Sequence, residues 1–333
     1  MKRNRLITLG LAILIVFFSS DCRRGEAPAV PQDSITIALT DSGLGGLSIM
    51  AEAAARLKTS GLYEHVNLVF FNALFSNDSG YNSLPDREAK IRVFDSALRS
   101  LAEEAKPDQI LVACNTLSVL IPDTPFARTA KIPVIGIIDA GVEMFDQALR
   151  DRPDAALLLF GTETTIAEDA HRRRLVDLGI AVQRIIPQAC PELAGYIENE
   201  WAGENTGMMI AAYVDEALAK LPAPLPPIYA GLVCTHYGYA LDLWKKAFAE
   251  RGGTLLGILN PNDRLPDVLF PTAEKKRFEK TLISARVVSM VEIAANKQTS
   301  LGAWLERISP EVAAALRAYK LRPGLFEWKT LLN

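Results

Sequence analysis

Short apolar runs alternate with longer stretches whose apolar residues recur at helical spacing, and this alternation persists along most of the chain. The runs at 35–39, 66–71, 110–113, 133–138, 155–160, 182–186, 229–233 and 255–259 are rich in Val, Ile and Leu. Runs of that length and composition read as buried strands of parallel sheets. Between them, Ile91, Phe94, Leu98 and Leu101 mark one face of a helix, and Pro85 suits its first turn. Further helices are expected up to Lys58, from the loop 161–165 through Leu178, and over 192–201 and 208–221, with the last stopped by the proline-rich stretch 222–227. Strand and helix in alternation predict an α/β fold. Residues 255–259 read as the last core strand, and everything after Pro261 reads as helical, notably 300–316.

Two of the apolar runs end in the same way. Val112-Ala113-Cys114-Asn115-Thr116 and Leu232-Val233-Cys234-Thr235-His236 each place a cysteine and small polar residues just past a strand. Ligands of parallel sheets collect beyond the carboxyl ends of the strands. Two thiols on one cleft can take a proton from one face of a carbon and return it on the other. A free thiol titrates near about 8.5, and a helix N-terminus lowers that value. Each cysteine precedes an expected helix start, so both are expected to be partly thiolate near neutrality. Thr116, Thr235 and Asn115 offer hydrogen bonds to a carboxylate or ammonium, and Asp41 and His236 are ionisable groups able to assist the thiols.

Other motifs have plainer roles. The loop Gly43-Leu44-Gly45-Gly46 lacks the dinucleotide fingerprint, because Ser48 stands where the third glycine belongs. It reads instead as a tight turn bringing backbone amides and Asp41-Ser42 to an anion. Cys190 has no polar residue beside it in sequence and reads as structural. His65 is placed in a loop and His171 on a helix surface, and no metal-ligand spacing links them, so no metal is predicted. A Cys–His hydrolase built on Cys234 and His236 lacks an evident orienting third residue.

Composition narrows the class. A chain of 333 residues accommodates two domains. A formal charge of −3 supplies no basic field for nucleic acid. Arg172-Arg173-Arg174 and Lys275-Lys276-Arg277 read as solvated helix faces. The amino terminus differs from the rest: Lys2, Arg3 and Arg5 precede an apolar stretch, 6–18, too short for a comfortable bilayer span. That is the pattern of an export signal over residues 1–22. Cys22 resembles the lipid-accepting cysteine of a bacterial lipoprotein, residues 23–34 a polar tether. The expected location is the periplasm, free or anchored to the membrane through lipid on Cys22. Cys114, Cys190 and Cys234 then remain, an odd number that excludes a full disulfide framework.

Five motifs in order resemble the aspartate/glutamate racemase superfamily, glutamate racemase most closely. They are Asp41-Ser42-Gly43-Leu44-Gly45-Gly46, Val112-Ala113-Cys114-Asn115-Thr116, Ile132-Pro133-Val134-Ile135-Gly136, Gln188-Ala189-Cys190-Pro191 and Cys234-Thr235-His236-Tyr237. The resemblance implies two pseudo-symmetric flavodoxin-like domains with parallel sheets and an active site in the cleft between them. Domain A would comprise 35–137 and 257–333 with a helical extension, and domain B 138–256. It implies that Cys114 and Cys234 are the catalytic thiols, tuned by Asp41 and His236. Ser42, Tyr81, Asn82, Asn115, Thr116 and Thr235 would bind a small amino-acid substrate, with no cofactor and with a homodimer as the assembly. Glu198 matches a family acid near the site. The loop after the second strand departs from the family, with Asn72-Ala73-Leu74 and Ser79-Gly80-Tyr81-Asn82-Ser83 in place of Gly-Asp-Thr and Pro-Tyr-Gly. The expected activity is cofactor-independent interconversion of L- and D-glutamate. The alternatives are an aspartate or broad-specificity racemase or isomerase of the superfamily, and an exported amino-acid-binding lipoprotein without turnover.

Overall fold

Two parallel sheets organise the chain, and both are wound in the same order. The computed structural model describes residues 33–270 and 275–332, all within one unit of the chain. The first sheet holds β1 (Ser34–Asp41), β2 (His65–Asn72), β3 (Gln109–Val112) and β4 (Val134–Gly136). The second holds β5 (Ala156–Gly161), β6 (Ile185–Ala189), β7 (Ile228–Val233) and β8 (Leu255–Leu259). Two more strands, β9 (Leu282–Ser289) and β10 (Lys320–Leu321), extend the first sheet. The orders are β10-β9-β2-β1-β3-β4 and β6-β5-β7-β8. With β9 and β10 set aside, each sheet reads second, first, third, fourth, the flavodoxin-like winding. Its ligand crevice lies beyond the first and third strands. The ends of β1 and β3, and of β5 and β7, therefore mark where chemistry is to be sought.

The central strands form because their side chains are buried on both faces. All six residues of β5 are buried, as the uninterrupted Ala-Leu-Leu-Leu-Phe-Gly run requires. In the helix Arg87–Ala105, Val93, Phe94, Leu98 and Leu101 point into the core. The helix starts at Asp86, whose side chain accepts from the Ala89 N–H at 2.7 Å. An acidic side chain at this position satisfies an otherwise free amide, so Pro85 stands ahead of the cap and not in the first turn.

Several expectations need correction. The expected signal 1–22 with Cys22, and residues 23–32 of the tether, lie outside the described residues, while Ser34 already belongs to β1. The tail after Pro261 is not wholly helical, because β9 pairs with β2 from His65↔Leu282 to Asn72↔Ser289. Only the last three residues of β9 are fully buried, so Leu-Ile-Ser-Ala-Arg-Val-Val-Ser shows no continuous apolar run. β8 pairs with β7, which assigns 257–259 to the second sheet and not to the first. The single helix expected through Leu178 is two, Glu163–Glu168 and Ala170–Asp177, broken at Asp169 with φ 55°. The strand expected at 182–186 starts later, after a single turn at Val182–Arg184. The helices Ala295–Glu306 and Pro310–Arg317 bury Leu301, Leu305, Val312 and Leu316. Among the described residues no helix is long and apolar enough to cross a membrane.

Candidate active site

Cys114 follows β3 and Cys234 follows β7, the third strand of each sheet, and both line one cavity of about 760 Å³. The two thiols thus occupy equivalent places in two equivalently wound halves. Their surroundings differ. The Ser42 hydroxyl lies 3.1 Å from the Cys114 sulfur. Burial and the nearby Asp41 carboxylate push the Cys114 thiol well up, and the Ser42 hydrogen bond only partly offsets them. The helix expected to lower it spans only Asn115–Ser118, too short for a substantial dipole. Cys114 is therefore protonated near neutrality, contrary to the expectation of a partial thiolate.

Around Cys234 the chain builds a buried row of hydrogen-bonded ionisable groups. His236 Nδ1 faces the Cys234 sulfur at 3.7 Å, and His236 Nε2 lies 2.7 Å from Glu198 Oε1. Lys297 Nζ donates to the other Glu198 oxygen, Oε2, at 2.7 Å. Burial alone would raise the Glu198 carboxyl, but the hydrogen bond and charge of His236, then Lys297, outweigh it and bring it to about 2. Burial likewise works against a charged His236, yet Cys234 and Glu198 raise it well above its ordinary value. The ring is then an imidazolium that presents one N–H to a carboxylate and the other to sulfur. The third residue that the sequence lacked is Glu198, on the helix Leu193–Glu200. Family resemblance places this acid near the site, and the fold shows its partner to be His236.

The turn after β1 is shaped by close approach. Asp41 Oδ2 accepts from the Gly46 N–H at 2.6 Å and from the Thr235 hydroxyl at 2.8 Å, tying the first half to the second. The Leu44 N–H donates to Glu198 Oε1 at 2.9 Å. The amides expected to cradle an external anion are thus taken by two of the protein's own carboxylates. A Cβ on Gly45 would sit 2.2 Å from Thr235 Oγ1 and 2.8 Å from the His236 N, so no larger residue fits.

The remaining expected residues fall into three groups. Tyr81 lines the cavity, fully buried, with its hydroxyl unpartnered, and burial followed by the nearby Cys114 raises it well above the usual tyrosine range. Asn82 is exposed at the rim, where its amide donates to Glu163 at 3.4 Å. Thr116 and Thr235 line the cavity. The Thr116 hydroxyl meets Thr162 at 2.8 Å and Thr165 at 3.2 Å, across from β5. Asn115 is buried with both side-chain polar atoms unpartnered, but it does not line the cavity. Asp41 Oδ1 is likewise buried and unpartnered, and Asp41 does line it. Thr162 was missed by sequence reasoning, although it follows β5 as Ser42 follows β1, and the doubled strand order is the signal that finds it.

Other residues changed place. Cys190 lines the cavity wall, and its sulfur faces the Gln188 carbonyl at 3.7 Å. His171 is buried, not on a surface, and packs against Phe145 with ring centroids 5.9 Å apart. His65 opens β2. Cys114, Cys190 and Cys234 are all free thiols. Among the described residues no group of His, Cys, Asp and Glu could hold a metal ion.

The sequence matches the model of the Asp/Glu/Hydantoin racemase family over residues 42–223. Glutamate racemase of Chlorobaculum tepidum is 25% identical over 270 residues, 74% of this chain and 92% of that protein. Glutamate racemase of Campylobacter jejuni is 32% identical over a shorter stretch of 145 residues, 43% of this chain and 52% of that protein. Among solved structures, glutamate racemase of Francisella tularensis in complex with D-glutamate superposes with a TM-score of 0.66 at 18% identity. That match covers 90% of this chain and 99% of the other.

Proposed function

This chain belongs to the Asp/Glu/Hydantoin racemase family, and from that premise we propose that it interconverts L- and D-glutamate by a two-thiol acid–base mechanism. The observation that carries the reading is the pair of free thiols, Cys114 and Cys234, lining one cavity from equivalent strand ends. One sulfur, as thiolate, takes the α-proton from one face of the amino acid. The carbanion, stabilised by its own carboxylate, receives a proton from the opposing thiol on the other face. Cys114 carries a proton in the resting enzyme, held there by burial and by Asp41. The His236 imidazolium faces the Cys234 sulfur at 3.7 Å and is placed to exchange a proton with it. In the proposed cycle one sulfur acts as base and the other as acid, and a single proton exchange between turnovers reverses the roles.

Substrate is gripped by groups the protein leaves unsatisfied. Buried polar atoms without partners are costly, and Asp41 Oδ1 and the Tyr81 hydroxyl are two such atoms on residues of this cavity. Asp41 Oδ1 accepts from the substrate ammonium, and Tyr81, Thr116 and Thr162 supply hydroxyls for its carboxylates. Glutamate as the substrate is supported by the named relatives, the glutamate racemases of Chlorobaculum tepidum and Campylobacter jejuni. D-glutamate for the cell wall is the product such an enzyme supplies. Export, with lipid on Cys22, is supported by the basic and then apolar pattern of 2–18, and mass spectrometry of the mature amino terminus tests it. The mechanism is tested by solvent deuterium incorporation at Cα, followed by NMR, with D- and L-glutamate and aspartate. Cys114→Ala and Cys234→Ala are each expected to abolish racemisation; wild-type-like turnover in either removes the two-thiol mechanism, and preference for aspartate removes the substrate assignment.

A further inference from the structure

Glu198 is held from three directions. Its Oε1 accepts from His236 Nε2 and from the Leu44 N–H, and its Oε2 accepts from Lys297 Nζ. With both oxygens engaged the carboxylate cannot rotate, and the face it shows His236 is fixed. Lys297 comes from the helix Ala295–Glu306, far along the chain from the residues matched to the family, 42–223. That helix is docked beside the site by two further links: Asn296 Nδ2 donates to Asn199 Oδ1 at 3.0 Å, and Trp201 Nε1 to the Ser300 carbonyl at 3.2 Å. Lys297 is thus not a loose surface cation, although its side chain keeps 27% of its exposure.

We propose that Lys297 is a positioning residue of the proton relay. Its ammonium pins the Glu198 carboxylate, so that the His236 ring stays oriented and aimed at the Cys234 sulfur. The titratable groups meeting there are Lys297 from the carboxyl-terminal helix, Glu198 from the helix Leu193–Glu200, Cys190 just past β6, and Cys234, His236, Tyr237 and Tyr239 from the segment after β7. The loop after β1 contributes the Leu44 N–H and, through Thr235, the Asp41 carboxylate. Without Lys297, Glu198 Oε2 is a buried anionic oxygen lacking its cation. Loss of a cation raises the proton affinity of every acid around it. The effect on Cys234 is accordingly toward later ionisation. The catalytic consequence rests on the racemase reading above; the consequence for sulfur reactivity does not.

The test uses the full chain as wild type, Lys297→Met and Lys297→Arg. Alkylation of Cys234 by iodoacetamide is followed against pH by peptide mass spectrometry, beside racemisation kinetics and thermal melting. In Lys297→Met the alkylation midpoint is expected to move up by roughly half to one pH unit. Its kcat is expected to fall about ten- to a hundredfold, with KM little changed, as for other residues that orient a reacting group. Lys297→Arg restores both. An unmoved alkylation midpoint in Lys297→Met, whatever its melting temperature, means a merely structural contact and overturns the proposal. Failure of Lys297→Arg to restore the midpoint overturns it as well. Should the wild type show no turnover, the racemase reading falls, while the alkylation profiles still decide the role of Lys297.

Discussion

At Cys114 the thiol is buried beside the Asp41 carboxylate, and Ser42 supplies the one side-chain hydrogen bond that favours its thiolate. A hydrogen bond to a charged group is worth about 1.5–3 kcal/mol. Ser42→Ala is therefore expected to lower kcat by about ten- to a hundredfold and to move the activity profile to higher pH, as steady-state rates against pH will show. His171 makes a separate prediction about stability. Burial, followed by the nearby Arg174 charge, lowers it to about 4 from the 6.5 of a free histidine. A depressed histidine stabilises the fold fully above its unfolded value. Stability is lost as pH falls from about 6.5 toward 4, by about 3 kcal/mol at about 1.4 kcal/mol per unit. His171→Leu is expected to flatten that part of the stability curve in denaturant titrations. The two thiols were legible in the sequence because each closes an apolar run before small polar residues. Glu198 was marked by resemblance alone and Lys297 not at all, because their meaning lies in a partner distant along the chain, and a lone Glu or Lys on a helix carries no local mark.

Among the elements, the turn after β1 is the least tolerant of change. An added methyl at Gly45 meets Thr235 Oγ1 and the backbone of His236, so the turn must shift and the Asp41–Thr235 hydrogen bond must open. Overpacking of this kind costs about 1–3 kcal/mol. Gly45→Ala is expected to lower the melting temperature and to lose most activity, read by calorimetry and by deuterium exchange at Cα. The strand β9 is the element the sequence concealed. It covers the whole length of β2, eight residues against eight, and its removal would leave a long open sheet edge of the kind that aggregates. A chain ended after residue 270 is expected to be insoluble or to elute as aggregates in size-exclusion chromatography. The central strands were legible because burial on both faces leaves an unbroken apolar run. β9 was not, because its first half is only partly covered and its pairing partner lies more than two hundred residues away.

Across the whole molecule, the cavity is bridged on two sides. Asp41–Thr235 and Leu44–Glu198 tie the halves deep in the site. At the rim, Asn82 reaches Glu163, Arg87 reaches Glu168 at 3.1 Å, and Lys90 reaches Thr164 at 2.8 Å. Partly exposed ties of this kind contribute only about 0–1 kcal/mol each, so they can open for substrate while the deep ties hold. Arg87→Ala combined with Asn82→Ala is expected to raise KM severalfold with kcat nearly unchanged; an unaltered KM in steady-state assays would show that the rim plays no part in admission. The doubled strand order has its own consequence for the reaction. Left- and right-handed amino acids have equal energy in water, so a catalyst joining them must run as well backward as forward. In the two-thiol mechanism proposed above, a frame that winds its second half like its first, and ends the same strand of each in sulfur, would give each hand its own base and the other hand's acid.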